Sequence, residues 1–142
     1  MRRFITLLLI GLVSIVRGGD IVFIVGEDTK IYRLTKDQVR EIYLKEINFI
    51  NGVEVVPVNL PAGNPLRKIV EEKVIGLSGE MLRIYWNRKY VYGVEPPIVL
   101  SSEKAVVKFV KKVKGAIGYV REENLDEGVR VVYRLKLNES EK

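Results

Sequence analysis

Hydrophobic positions alternate between short continuous runs and 3.6-residue stripes, the signature of buried strands interleaved with amphipathic helices. Asp20-Ile-Val-Phe-Ile-Val25 is a run with no polar break after its first residue, as expected of a strand covered on both faces. Thr35 with Gln38 three residues on forms a capping box, and Val39, Ile42 and Tyr43 give the inner stripe of a short helix ending near Leu44. Asn51-Gly52 marks a tight turn between Phe49-Ile50 and Val53, Val55 and Val56, leading into a strand over Val53–Val58. Pro57 cannot donate to a ladder, so it belongs at an edge or at the strand's end. A second helical stripe follows at Leu66, Ile69, Val70, Lys73 and Val74, with Gly76 as its C′ residue. Ser78 caps a third helix, with Met81, Leu82, Tyr85 and Trp86 on its inner side and Trp86 as a core anchor whose N–H bonds a neighbour.

Tyr92-Gly93 and Pro96-Pro97 break the pattern, and Ile98–Leu100 resumes it as a short extended segment. Ser102 caps a fourth helix with Val106, Phe109, Val110 and Val113 at helical spacing. Lys111, Lys112 and Lys114 crowd its end, where cations complement the helix dipole. Ala116-Ile-Gly-Tyr-Val120 is another buried strand, in which Gly118 implies close approach of a backbone or a ligand. Residues 122–128 form an acidic loop. Val129–Leu137 alternates, with Val131, Tyr133, Leu135 and Leu137 on one face and Arg130, Arg134 and Lys136 on the other. Asn138–Lys142 is a frayed tail. No repeat or linker is present, so these elements predict one α/β domain: a mixed sheet of about four or five strands flanked by helices.

One junction in this plan carries chemistry. Asn59-Leu-Pro-Ala-Gly-Asn-Pro-Leu-Arg67 reads as strand, glycine turn and helix start. Asn64 is the N-cap and Pro65 the first helical residue. In α/β proteins such junctions receive ligands, anions above all. Gly63, Asn64 and Arg67 are therefore the candidate ligand-binding residues, for a small anion.

Charge and composition narrow the function. Of 142 residues, 47% are hydrophobic and 30% charged, which describes a folded chain with a real core. Arg2 and Arg3 precede the apolar run Phe4–Val16, which is too short to span a bilayer and suits a secretory signal, with Val16-Arg17-Gly18 at its cleavage site. Residues 1–18 are read as that signal, an uncleaved anchor being the alternative, and 19–142 as the domain. Losing Arg2, Arg3 and Arg17 leaves 21 basic against the 18 acidic residues, so the net charge of +6 falls to +3 and a nucleic-acid partner loses its support. The chain has no Cys and no His, which excludes thiol or His-based triad catalysis, disulfides and the usual zinc sites. Glu71-Glu72 and Asp126-Glu127 are acidic pairs that read as solvated surface. No catalytic residue, metal or cofactor is assigned.

Three segments carry a resemblance: Leu34-Thr-Lys-Asp-Gln-Val-Arg-Glu-Ile-Tyr-Leu44, then Tyr85-Trp86 with Gly93 and Pro96-Pro97, and Lys114-Gly-Ala-Ile-Gly-Tyr-Val120. Together they resemble the small single-domain relatives of the phosphate ABC transporter substrate-binding proteins, in the type 2 periplasmic-binding-protein-like superfamily. The resemblance implies one periplasmic-binding-protein-like lobe and a non-enzymatic, periplasmic, solute-binding role. Inorganic phosphate or another small anion is the implied ligand. A membrane permease, an envelope protein or a second copy of the chain is the implied partner. In the family a Gly-Ser-Gly-Thr turn and an arginine grip the oxyanion. Here that turn is Gly63-Asn64-Pro65-Leu66, and Asn59 stands at the arginine's place. Each missing charge-assisted bond is worth roughly 1.5–3 kcal/mol, so the resemblance implies weak binding. A non-catalytic envelope scaffold that kept the fold and lost the ligand is the alternative.

Overall fold

The computed structural model describes residues 19–137. The predicted signal segment and the predicted C-terminal tail lie outside them. Five strands form one mixed sheet in the order β5-β4-β6-β1-β7. They are β1 (Ile21–Gly26), β4 (Val56–Asn59), β5 (Ile98–Val99), β6 (Ala116–Arg121) and β7 (Val129–Leu135), while β2 (Phe49–Ile50) and β3 (Val53–Glu54) make a separate hairpin. The helices are α1 (Lys36–Tyr43), α2 (Pro65–Val70, extended by a π-turn over Glu71–Ile75), α3 (Gly79–Tyr90) and α4 (Glu103–Lys112). This is the α/β lobe with a mixed sheet that the sequence predicts.

The sheet is organised around β1, all six residues of which are buried. It lies antiparallel between β6 and β7, with Ile24 opposite Gly118 on one side and Phe23 opposite Tyr133 on the other. Pleating sends alternate side chains to opposite faces. On one face Phe23 meets Tyr43 of α1, Tyr119 of β6 and Tyr133 of β7, with ring centroids 5.4–5.8 Å apart. On the other, α4 lays Val106 and Val110 over Gly118. A Cβ on Gly118 would sit 2.4 Å from Val106 Cγ1 and 2.9 Å from Val58 Cγ2. The close approach expected there thus comes from packed valines, not from a backbone or a ligand.

Local signals place several elements where the sequence puts them. Thr35 and Gln38 exchange both capping-box hydrogen bonds. Asn51 and Gly52 turn the β2–β3 hairpin with φ of 51° and 78°, the left-handed pair that a two-residue hairpin requires. Ser102 Oγ accepts from Ala105 N at 3.1 Å to start α4.

Four expectations need correction. The strand predicted over Val53–Val58 is two strands: β3 closes the hairpin, and after Val55 the chain crosses to the main sheet as β4. Pro57 is not at an edge, since β4 runs between β5 and β6. Its neighbour Val56 donates to Gly115 O, which turns the nitrogen of Pro57 towards β5, where pairing begins only at Val58. No ladder bond is therefore lost. The last strand stops at Leu135 and carries a bulge: Phe23 pairs with Tyr133 and Ile24 with Val131. The extra residue, Val132, is buried, and its carbonyl accepts from Leu34 N at 2.8 Å. On α3, Leu82 alone is buried, while Met81 is 61% exposed. Tyr85 and Trp86 are half-buried, and Ser78 holds the N-cap position without a side-chain bond.

Gly115 reports how tightly the crossover is built. Its φ is 85°, and a Cβ there would lie 2.0 Å from Glu54 O. Gly76, which ends the π-turn, has φ 80° and open space around it. Both glycines are conformationally required, but only one is also sterically required. Gly115→Ala is expected to destabilise the fold by about 3 kcal/mol and Gly76→Ala by about 1 kcal/mol. Urea unfolding of the two variants measures the difference, and equal losses would refute the clash at the crossover.

Candidate functional site

Asn59 ends β4, and the chain turns at once towards α2. Pro61 O accepts from Asn64 N at 3.0 Å, and Gly63 takes φ 89°, the left-handed value such a turn demands. Asn64 then caps α2 with its own side chain: Oδ1 accepts from Leu66 N at 2.8 Å and from Arg67 N at 3.3 Å. The helix start that would welcome an anion is thus already satisfied from within.

Arg67 is equally engaged. Its Nε donates to Glu71 Oε2 at 2.7 Å and its Nη1 to Leu60 O at 2.9 Å. The two charged side chains retain 16% and 14% of their exposure. Glu71 is therefore not the solvated surface residue expected from the acidic pair Glu71-Glu72, though Glu72 is exposed. The i,i+4 spacing of Arg67 and Glu71 on one helix was the available sequence signal.

Beside this pair lies a cavity of about 490 Å³, lined among others by Gly63, Arg67, Glu71, Ser78, Arg83 and Trp86. Gly63 and Arg67 are brought together on its wall, and Asn64 stands behind it as the cap. Trp86 packs against the core with one part of its surface and lines this cavity with another, so it is a half-buried wall residue and not a fully buried anchor. Its ring meets Tyr85 edge-on at 4.9 Å, and among the described residues no hydrogen bond reaches its indole N–H. Lys68 adds a further cation to the lining and Glu72 a further carboxylate, and Arg83 pairs with Glu80.

The floor under the turn depends on a residue that sequence reading did not single out for the site. Tyr119, buried on β6, donates its hydroxyl to Asn59 Oδ1 and accepts from Leu60 N at 3.4 Å. The side-chain oxygen of Asn59 is therefore engaged by a tyrosine from the neighbouring strand. Tyr43 reaches the same strand from α1, its hydroxyl lying 2.8 Å from Val58 O and 3.2 Å from Ile117 O. Burial pushes both phenols well above their ordinary range, and for Tyr43 the neighbouring Tyr119 adds to the effect. No pattern within the chain links Tyr119 to Asn59, which lies sixty positions away. Among the described residues no cluster of three or more acidic side chains could hold a metal, and no helix is long and apolar enough to cross a membrane.

The raised phenols fix the direction of an alkaline effect. The unfolded chain ionises its tyrosines near pH 10, while the folded chain keeps Tyr43 and Tyr119 protonated. Their contribution is whole below pH ~10 and declines as pH rises above it. Stability is expected to fall steeply above that pH, with exposed Tyr32, Tyr90 and Tyr92 ionising first and the last tyrosinate absorbance appearing only with the loss of helical circular dichroism. Absorbance from all seven tyrosines before any unfolding would show that these two phenols are not shielded.

No family model matches the chain, and no curated protein matches it in sequence. Solved structures do match it. A phosphate transport receptor from Vibrio cholerae superposes with a TM-score of 0.66 at 20% identity, over 82% of this chain and 46% of that one. A phosphate ABC transporter substrate-binding protein from Clostridium perfringens, solved with phosphate bound, gives 0.65 at 21% identity, over 82% and 45%. The PstS protein of Borrelia burgdorferi gives 0.62 at 15% identity, over 81% and 47%. The chain thus spans about half the length of these structures. At such identities the likeness is one of fold, and residues 19–137 have the fold of a lobe of the phosphate ABC transporter substrate-binding proteins.

Proposed function

We propose that this is an exported, non-catalytic solute-binding lobe that takes a small oxyanion weakly in the cavity beside α2, with inorganic phosphate as the first candidate. The observation that carries this reading is the position of Arg67. It lies on the wall of a 490 Å³ cavity beyond the carboxyl end of β4, in a fold shared with a substrate-binding protein that was solved holding phosphate. In open α/β sheets that end of the strands is where ligands are received.

A guanidinium has five N–H donors. Nε serves Glu71, and Nη1 serves Leu60. The Nη2 hydrogens and the second on Nη1 have no partner among the described residues. Lys68 and the Ser78 hydroxyl are further donors on the same wall. Gly63 keeps the turn open to a ligand, since it carries no side chain into the cavity. Asn64 acts through the backbone, by holding the helix start in place.

Weakness follows from the same geometry. Asn64 Oδ1 already fills the first N–H groups of α2, and Glu71 already neutralises Arg67. A periplasmic setting rests on the predicted signal segment, and a permease or envelope partner on the fold. Calorimetric titration of residues 19–142 with phosphate is expected to give a dissociation constant in the millimolar range, about −4 kcal/mol, lost in Arg67→Gln. Absence of heat with phosphate, sulfate and acetate alike would remove the ligand-binding reading.

A further inference from the structure

The pairing that weakens the site can also define what it accepts. Glu71 belongs to the same chain as Arg67 and is one helical turn away, so it is always present at high effective concentration. Its carboxylate meets Nε at 2.7 Å, with both side chains mostly withdrawn from water. The contact is therefore less screened than a surface ion pair. A free monocarboxylate would offer Arg67 the contact it already has. A dianion offers more, because its second charge also draws on Lys68 and on the unused Nη hydrogens, which Glu71 does not engage.

We propose that Glu71 is the specificity-determining residue of this cavity: an internal carboxylate that competes with the ligand for Arg67 and confines it to multiply charged oxyanions. This rests on the reading of the cavity as an anion site. Among the described residues, Arg67 is the one hydrogen-bond and ion-pair partner of the Glu71 carboxylate. The backbone carbonyl of Glu71 serves the turn by accepting from Gly76 N at 2.8 Å, and any residue supplies that. The carboxylate itself reaches Arg67. Without it, Arg67 is a mostly buried cation lacking its counter-charge, and an external anion becomes the means of restoring the balance.

Two behaviours follow that a merely structural ion pair would not show. Glu71→Gln keeps the shape of the side chain and removes its charge, and Glu71→Ala vacates the position. Both variants are expected to melt lower than the wild type, and added phosphate should recover most of that loss while leaving the wild type nearly unmoved. In calorimetry, phosphate should bind either variant at least tenfold more tightly than the wild type. Acetate, silent with the wild type, should give measurable heat. Arg67→Gln in the Glu71→Gln background should abolish both.

The outcomes separate the two claims. If the wild type binds phosphate and neither Glu71 variant binds it more tightly, Glu71 does not gate the site, although the site itself stands. Acetate bound by the wild type as tightly as phosphate would overturn the restriction to multiply charged ions. Tight, Arg67-dependent binding in the variants alone would show that Glu71 blocks the site outright, which overturns its role as a selector of multiply charged ions. If neither the wild type nor any variant binds phosphate, the anion-site reading falls and this inference with it.

Discussion

Tyr119 must be buried, and its hydroxyl must not be left alone. The ring packs against Phe23 and Tyr43 in the centre of the sheet, where an unbonded phenol would cost about 1–3 kcal/mol. The nearest partners are at the end of β4, the side chain of Asn59 and the backbone of Leu60. Meeting them fixes where β4 ends and at what angle the chain leaves it. Everything downstream inherits that exit: the turn through Gly63, the cap at Asn64 and the direction of Arg67. The aromatic core and the candidate site are thus one construction, with the phenol as its joint. Tyr43 repeats the device from the helix side, bonding the carbonyls of both β4 and β6.

Beyond that joint the chain satisfies its own polar groups with unusual completeness. Asn64 supplies the acceptor for two helix N–H groups, Leu60 O and Glu71 receive Arg67, and Tyr119 receives Leu60 N. Elsewhere Arg130 clamps the turn after β1, donating to the carbonyls of Glu27, Thr29 and Ile31 while stacking on Tyr32. No buried side-chain polar atom among the described residues lacks a partner. A site built to grip an ion firmly would hold several donors in reserve. Here the reserve is mainly the far side of one guanidinium.

What could be read from sequence was what is decided locally. The capping box at Thr35, the Asn51-Gly52 turn, the Asn64-Pro65 helix start and the run of β1 each carry their signal within a few residues, and each is where it was expected. The failures are tertiary decisions. Val53–Val58 reads as one strand because all of it is extended. Only the pairing shows that the chain changes sheets there, β3 lying against β2 and β4 against β5 and β6. Helix α3 carries two apolar stripes, Met81 with Ile84 and Leu82 with Tyr85 and Trp86, and the sequence does not choose between them. The hydrogen bond from Tyr85 to Leu44 O at 2.6 Å does. Gly63, Asn64 and Arg67 were legible as a junction, but their partners were legible only in part. Glu71 stands at helical spacing from Arg67, whereas Tyr119 arrives from a distant strand.

The scale of any binding here follows from what surrounds the anion. A cavity walled by α2, its π-turn and the first turns of α3 leaves its contents in contact with water. Two unit charges 4 Å apart attract by about 1 kcal/mol in water and about 4 kcal/mol at the effective dielectric near a protein surface. Moving from the first figure to the second requires covering the ion, and the described residues provide one side of that cover. The solved proteins that share the fold are about twice as long, and one of them was solved with phosphate in place. The difference between weak and firm binding need not lie in better donors on α2. It lies as much in whether a second surface closes over Arg67, because exclusion of water strengthens every charge contact already present.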